Sequence, residues 1–369
     1  MSPHPGSLGG NVFMPMTPYH VFLSCGVALG EHRGERNHLI VIEDFPGADI
    51  LVESVMRWSH SPFRGITLHA GTLGRGSDLT RGLAIQRSSR RLVKMVSDAP
   101  IDRLYVFNDA RADEQAVIRH VAKRRPATRI VCLEDGLAMY ASALLSRRDS
   151  NLKRLGKRLL YGRDLHLPDA IGSSPWIHEA RLAYVSLARR ELAGKCLKPL
   201  PFDVFSGTEM RALADEYCER MSVEAGRTDR IEVLVLLPHP ELIAHDDETE
   251  KLYRSICVEA ARCNRSVALK QHPRDRHGVL FTDDRAVLVP RGLAAEFLFL
   301  SRRDEIRFVF GDLSSALMSA RWLLPSAKTV SVARLLACAD SGLTSVFDRI
   351  GVVVPSHEDQ IWDLLQGAE

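Results

Sequence analysis

The feature that most constrains this chain is a repeated alternation: a short, nearly continuous apolar run of β type, then a turn, then a helix-like segment. Continuous apolarity marks strands buried on both faces, which is the habit of parallel sheets flanked by helices. In the first half the runs are Val12 to Met16, Leu39 to Ile42, Leu104 to Phe107 and Ile130 to Leu133. From Arg181 to about Arg227 the pattern reads as helical, broken by Lys198-Pro199-Leu200-Pro201. The rhythm restarts with Ile231 to Leu237, Ser266 to Lys270, Ala286 to Val289, Phe308 to Phe310, Thr329 to Val332 and Val352 to Val354. The fold class expected is α/β, with two Rossmann-like doubly wound domains over residues 1–200 and 201–369 facing each other across a cleft.

Composition agrees with two cores in one chain. The 369 residues are 45% hydrophobic, with 49 Lys+Arg against 46 Asp+Glu, which excludes disordered, collagen-like and coiled-coil classes. Seven scattered cysteines without a CxxC read as thiols in a reducing compartment. No apolar run reaches the ~20 residues of a membrane span, and no secretory leader is visible, so a cytoplasmic location is expected. The net charge of +3 is unevenly spread. Residues 147–163 hold seven Lys/Arg against the single acid Asp149, and Arg81, Arg87, Arg90, Arg91 and Lys94 follow one another with no acid between them. Lys153, Arg154, Lys157 and Arg158 share one helical face opposite leucines. The bland reading is a solvated surface; the sharper one is a surface for an anionic acceptor or for the anionic inner face of the cytoplasmic membrane. No stacking motif or binding module speaks for nucleic acid.

In open α/β sheets ligands bind beyond the carboxyl ends of strands, so the residues there carry the functional reading. Thr17-Pro18-Tyr19 opens a helix after the first strand, and Thr17 serves equally as a plain cap. Glu134-Asp135-Gly136, with Tyr140 beyond, puts paired acids before a sharp turn; one carboxylate can take a proton from a hydroxyl, although the triplet alone is a turn signal. Lys270-Gln271-His272-Pro273 presents an imidazole from a stiff turn, able to protonate a leaving phosphate, with Lys270 as a second positive charge. His239-Pro240 is another such pair. Gly311-Asp312-Leu313-Ser314-Ser315 opens a helix whose N–H groups and hydroxyls suit a phosphate.

Taken in order, Glu134-Asp135-Gly136, His272-Pro273 and Ser314-Ser315 resemble the acidic-acidic-Gly, His-Pro and Ser-Ser motifs of bacterial sialyltransferases, most closely the polysialyltransferase-type group. Tandem Rossmann-like domains are likewise similar to the GT-B architecture of nucleotide-sugar glycosyltransferases. The resemblance implies inverting transfer of sialic acid from CMP-sialic acid to a glycan hydroxyl, for a cell-surface glycan. By it Glu134 is the general base with Asp135 as neighbour or substitute, and His272 is the general acid. Lys270, Pro273, Gly311, Ser314 and Ser315 lie on the donor. The acids Asp246 and Asp247 after His239-Pro240 are secondary candidates for the base. No Asp-x-Asp stands at a strand end, so neither a metal nor a resident cofactor is expected. Alternatives are a CMP-Kdo transferase, a CDP-glycerol glycerophosphotransferase, a nucleotide-sugar epimerase, or a non-catalytic nucleotide-sugar or glycan-binding protein.

Overall fold

The computed structural model describes residues 8–71, 78–141, 165–225, 230–238, 247–272, 280–336 and 341–367. The chain divides into two compact units, residues 1–205 and 206–369. The first holds strands β1 (Gly10–Phe13), β2 (Asn37–Glu43), β3 (Phe63–Ala70), β4 (Ile101–Val106), β5 (Arg129–Leu133), β6 (Glu179–Leu182) and β7 (Cys196–Pro199). They form one sheet in the order β3-β2-β1-β4-β5-β6-β7, every pair parallel. The described helices between them are α1 (Pro18–Glu31), α2 (Ala48–Arg57), α3 (Asp78–Val96) and α4 (Ala112–Arg124), and α5 (Phe202–Phe205) ends the unit.

The central strands are buried because both pleat faces meet helices: Val12, Phe13, Leu39 to Ile42, Leu104 to Phe107 and Ile130 to Leu133 have no exposed surface. Each such side chain contributes ~1.5–3 kcal/mol of burial, enough to set the strand register. Helix α1 is itself nearly all buried. Its Gly26 faces the Phe205 ring so closely that an added Cβ would lie 2.1 Å from a ring carbon, so α5 packs only against a residue without a side chain.

Two sequence expectations are corrected. The stretch after Arg181 is not continuously helical: it begins inside β6 and continues through two 3₁₀ turns and β7, with α-helix only from Phe202. The charged residues that hid these strands neutralise one another. Buried Glu179 accepts from Arg181 Nε at 2.7 Å, pairs with Arg129 at 2.7 Å and Lys198 at 3.2 Å, and Arg181 also reaches Glu31. Val352 to Val354 is not a strand either, since only Val353 makes a single bridge, to Val330.

The second unit opens with α6 (Thr208–Ala225) and holds β8 (Val233–Leu236), α7 (Asp247–Arg262), β9 (Val267–Lys270), β10 (Ala286–Val289), α8 (Ala295–Ser301), β11 (Phe308–Gly311), α9 (Ser315–Leu323), β12 (Lys328–Ser331), α10 (Ser341–Ile350) and α11 (Asp359–Gln366). Its five parallel strands run in the order β10-β9-β8-β11-β12. Alternate strand residues (Val233, Val235, Val267, Leu269, Phe308, Phe310) pack with Leu252, Tyr253 and Ile256 of α7 and Ile361 and Leu365 of α11. Among the described residues no helix is long and apolar enough to cross a membrane.

Candidate functional site

The carboxyl end of β5 runs directly into Glu134-Asp135-Gly136. Gly136 takes φ +72°, a left-handed conformation that ends the strand and starts the 3₁₀ turn Gly136–Met139. The two acids then meet opposite environments. Glu134 is only 2% exposed. Its carboxylate accepts from Tyr19 Oη at 2.8 Å, from the backbone N–H of Ala183 at 2.7 Å, and from Tyr140 Oη. Burial raises its pKa above the usual carboxylate range, with the Tyr140, Ala183 and Tyr19 donors opposing. Burial, and after it the charge of Glu134, also pushes the Tyr140 hydroxyl well up.

Asp135 is 21% exposed and is held at both oxygens. His20 Nε2 lies 2.8 Å from Oδ1, and Asn108 Nδ2 donates to Oδ2 at 2.7 Å. The His20 ring is 2% exposed and stacks on Phe107, centroids 4.0 Å apart and planes 10° from parallel. Asn108 stands just past β4 in a polar loop. The buried Glu114 carboxyl accepts from its backbone N–H at 2.6 Å, and burial pushes that carboxyl up to about 8. Next to it, Asp109 accepts from the N–H groups of Gly172 at 2.8 Å and Ser174 at 2.9 Å.

Thr17, a candidate in its own right by sequence, caps α1: its side chain accepts from His20 N at 3.1 Å, and Pro18 occupies the first turn. That capped turn delivers Tyr19 to Glu134 and His20 to Asp135. The structure therefore brings Thr17, Glu134, Asp135, Gly136 and Tyr140 together, and adds His20 and Asn108, which sequence reasoning did not single out. A signal existed for both. His20 interrupts an apolar helix, and Asn108 follows a strand by the same rule that picked out Glu134.

In the second unit β9 and β11 flank β8, so their carboxyl ends lie along one edge of the same sheet. Lys270 is at that end but turns inward: it is 4% exposed, and its Nζ donates to the carbonyls of Gln271 at 2.8 Å and Arg291 at 3.2 Å. Burial lowers its pKa to about 7, opposed by Glu296. Instead of offering a charge to a phosphate, as expected from sequence, it fastens the turn that carries His272. His272 itself is half-buried. At the β11 end Ser314 caps α9, accepting from Ala316 N at 3.3 Å, and Ser315 is exposed on the first turn. Between Gly311 and these serines lies Asp312, buried, its carboxyl pushed up to about 7 by that burial. Asp247 is exposed at the start of α7. Pro273, His239, Asp246, Lys153, Arg154, Lys157 and Arg158 lie outside the described residues. Among the described residues no group of three or more His, Cys, Asp and Glu could hold a metal ion.

Known structures share this architecture. The chain is similar to the alpha/beta-galactoside alpha-2,3-sialyltransferase of the luminous marine bacterium Photobacterium phosphoreum, with TM-score 0.55 and 11% identity, over 94% of this chain and 98% of that one. It is similar to the UDP-GlcNAc 2-epimerase of Methanocaldococcus jannaschii in complex with UDP-GlcNAc and UDP, with TM-score 0.58 and 12% identity, over 98% and 94%. A third is Arabidopsis thaliana UGT89C1 complexed with UDP-L-rhamnose, with TM-score 0.54 and 12% identity, over 98% and 89%. At such identities the likeness establishes the fold, an α/β chain of two Rossmann-like domains of GT-B type. No curated protein matches the chain by sequence. Residues 77–333 match the family described as alpha-2,8-polysialyltransferase (POLYST). The chain belongs to that family and is a glycosyltransferase.

Proposed function

We propose that this glycosyltransferase is an inverting sialyltransferase that moves sialic acid from CMP-sialic acid to a hydroxyl of a glycan acceptor. The observation that carries the reading is the Asp135 carboxylate, clamped by two nitrogen donors and reachable from solvent at the carboxyl end of β5. The family match supports it by spanning that acid pair together with His272, Ser314 and Ser315. In a single displacement Asp135 takes the proton of the acceptor hydroxyl as its oxygen bonds the anomeric carbon of the donor. The bond from that carbon to the CMP phosphate breaks, and His272 gives the leaving phosphate a proton.

On this reading Asp135 stands ahead of Glu134 as the base, the opposite of the order read from sequence, and the partners of the two acids support it. A hydroxyl reaches Asp135 without displacing a partner, whereas at Glu134 it would have to evict a tyrosine. Ser314 and Ser315 bind the CMP phosphate, with Gly311 leading into their helix. Charge on the leaving group is met by His272, so no metal is called for, and transfer in the presence of a chelator tests this point. The exposed Arg87, Arg90, Arg91 and Lys94 of α3 suit an anionic acceptor, such as a sialylated chain. A screen of CMP, CDP and UDP sugars with sialylated and galactose-terminated acceptors is the decisive experiment. Release of CMP from CMP-sialic acid is the expected outcome. Turnover of CMP-Kdo or CDP-glycerol alone, or of no CMP sugar, would overturn the assignment.

A further inference from the structure

We infer that His20 is a positioning residue: it fixes the carboxylate of Asp135 for attack on the acceptor proton, through the contact between its Nε2 and Asp135 Oδ1. The inference rests on the role of Asp135 proposed above.

Three features set this histidine apart from an incidental core residue. First, it is among the few polar side chains in an otherwise apolar, buried helix, and burying an imidazole is costly unless a partner repays it. The partner is an acid 115 residues away, at 2.8 Å. Second, every degree of freedom of His20 is constrained. Its backbone N–H is held by Thr17 Oγ1, its carbonyl accepts from Ser24 Oγ at 2.8 Å, and its ring plane is set by the stack on Phe107. Third, a tether between α1 and the β5 loop already exists one residue earlier, where Tyr19 bonds Glu134. The second link is therefore not needed to hold the helix to the sheet, and what it adds is control of Asp135.

An unrestrained aspartate at a strand end would exchange rotamers. With His20 on Oδ1 at 2.8 Å and Asn108 on Oδ2 at 2.7 Å, rotation of the carboxylate breaks one contact or the other. Each oxygen retains a lone pair, so a hydroxyl proton finds an acceptor already oriented. Small misplacements of a reacting group cost up to about 100-fold in rate, which is the size of effect available to a residue that never touches substrate.

The test compares His20→Leu with His20→Gln, whose amide N–H extends toward the position of Nε2. In His20→Leu, kcat is expected to fall about 100-fold while the KM for CMP-sialic acid stays within about twofold. His20→Gln is expected to recover about tenfold of that loss by restoring the donor. Unchanged kcat in His20→Leu, or His20→Gln as slow as His20→Leu, overturns the inference. If the wild-type protein turns over no CMP sugar, the functional reading fails instead. Nitrogen NMR of the imidazole then decides by itself: the proton should sit on Nε2, and its resonance should move in Asp135→Asn. An Nε2 without a proton, or one indifferent to Asp135→Asn, overturns the inference. The same spectra and His20→Gln decide if His20→Leu shows no melting transition.

Discussion

The ends of β5 and β9 look alike in sequence, each a strand running into charged residues and a turn, yet they handle charge in opposite ways. At β5 the first acid, Glu134, sinks among two tyrosines and a backbone N–H while the second, Asp135, stays accessible between two side-chain donors. At β9 the cation, Lys270, turns inward onto backbone carbonyls, and the half-buried imidazole of His272 two residues on remains as the group at the edge. The lesson is that a charged residue at a strand end reports a polar site, and its partners decide whether it serves as a reactant or as a fastening.

Substitutions at the two ends should break or sharpen this contrast. The largest effect is expected at Asp135→Asn, which removes the proposed base and should lower kcat about 10²- to 10⁴-fold in a CMP-release assay, with a modest fall in melting midpoint because the amide mispairs with one of the two groups that hold the carboxylate. His272→Ala should follow, at about 10²-fold, and a leaving group with a lower pKa should restore part of its rate. Glu134→Gln is expected to cost about 1–3 kcal/mol of stability by mispairing one of its three donors, with a smaller loss of kcat than Asp135→Asn. The reverse ranking of the two acids in kcat would transfer the base to Glu134.

Two pH experiments read the inward charges. Lys270 falls from its ordinary 10.5 to about 7 in the folded protein, so its stability contribution is present above 10.5 and is lost as pH falls through about 7. Lys270→Met should therefore gain in melting midpoint relative to wild type as pH falls through that window. Asp312 rises from 3.8 to about 7, so its contribution is present below 3.8 and lost as pH rises through about 7. Asp312→Asn should gain relative to wild type in that opposite direction. Parallel curves for either variant would show that its ionisation is not linked to folding. The smallest effect on stability belongs to Ser314→Ala, about 1 kcal/mol for a lost helix cap, accompanied by a raised KM for CMP-sialic acid from the lost phosphate contact.

Much of the fold was legible because burial on both faces leaves a continuous apolar run, as in β2, β4, β5 and β11. β3 escaped because most of its residues are partly exposed at the sheet edge, and β6 and β7 because Glu179, Arg181 and Lys198 interrupt the apolar pattern. The pairing that makes those charges tolerable joins residues far apart in the chain, and no local pattern contains it.

The same division runs through the site. Residue order alone determined the α/β class with two parallel sheets, and it marked the strand ends where Glu134, Asp135, His272, Ser314 and Ser315 stand, because hydrophobic period and turn chemistry are local. Which of two adjacent acids stays exposed, which cation is buried, and that His20 and Asn108 clamp Asp135 were decided only by the tertiary structure. Those properties depend on desolvation and on hydrogen-bond partners up to 115 residues away, brought within reach only when the strands and helices pack together.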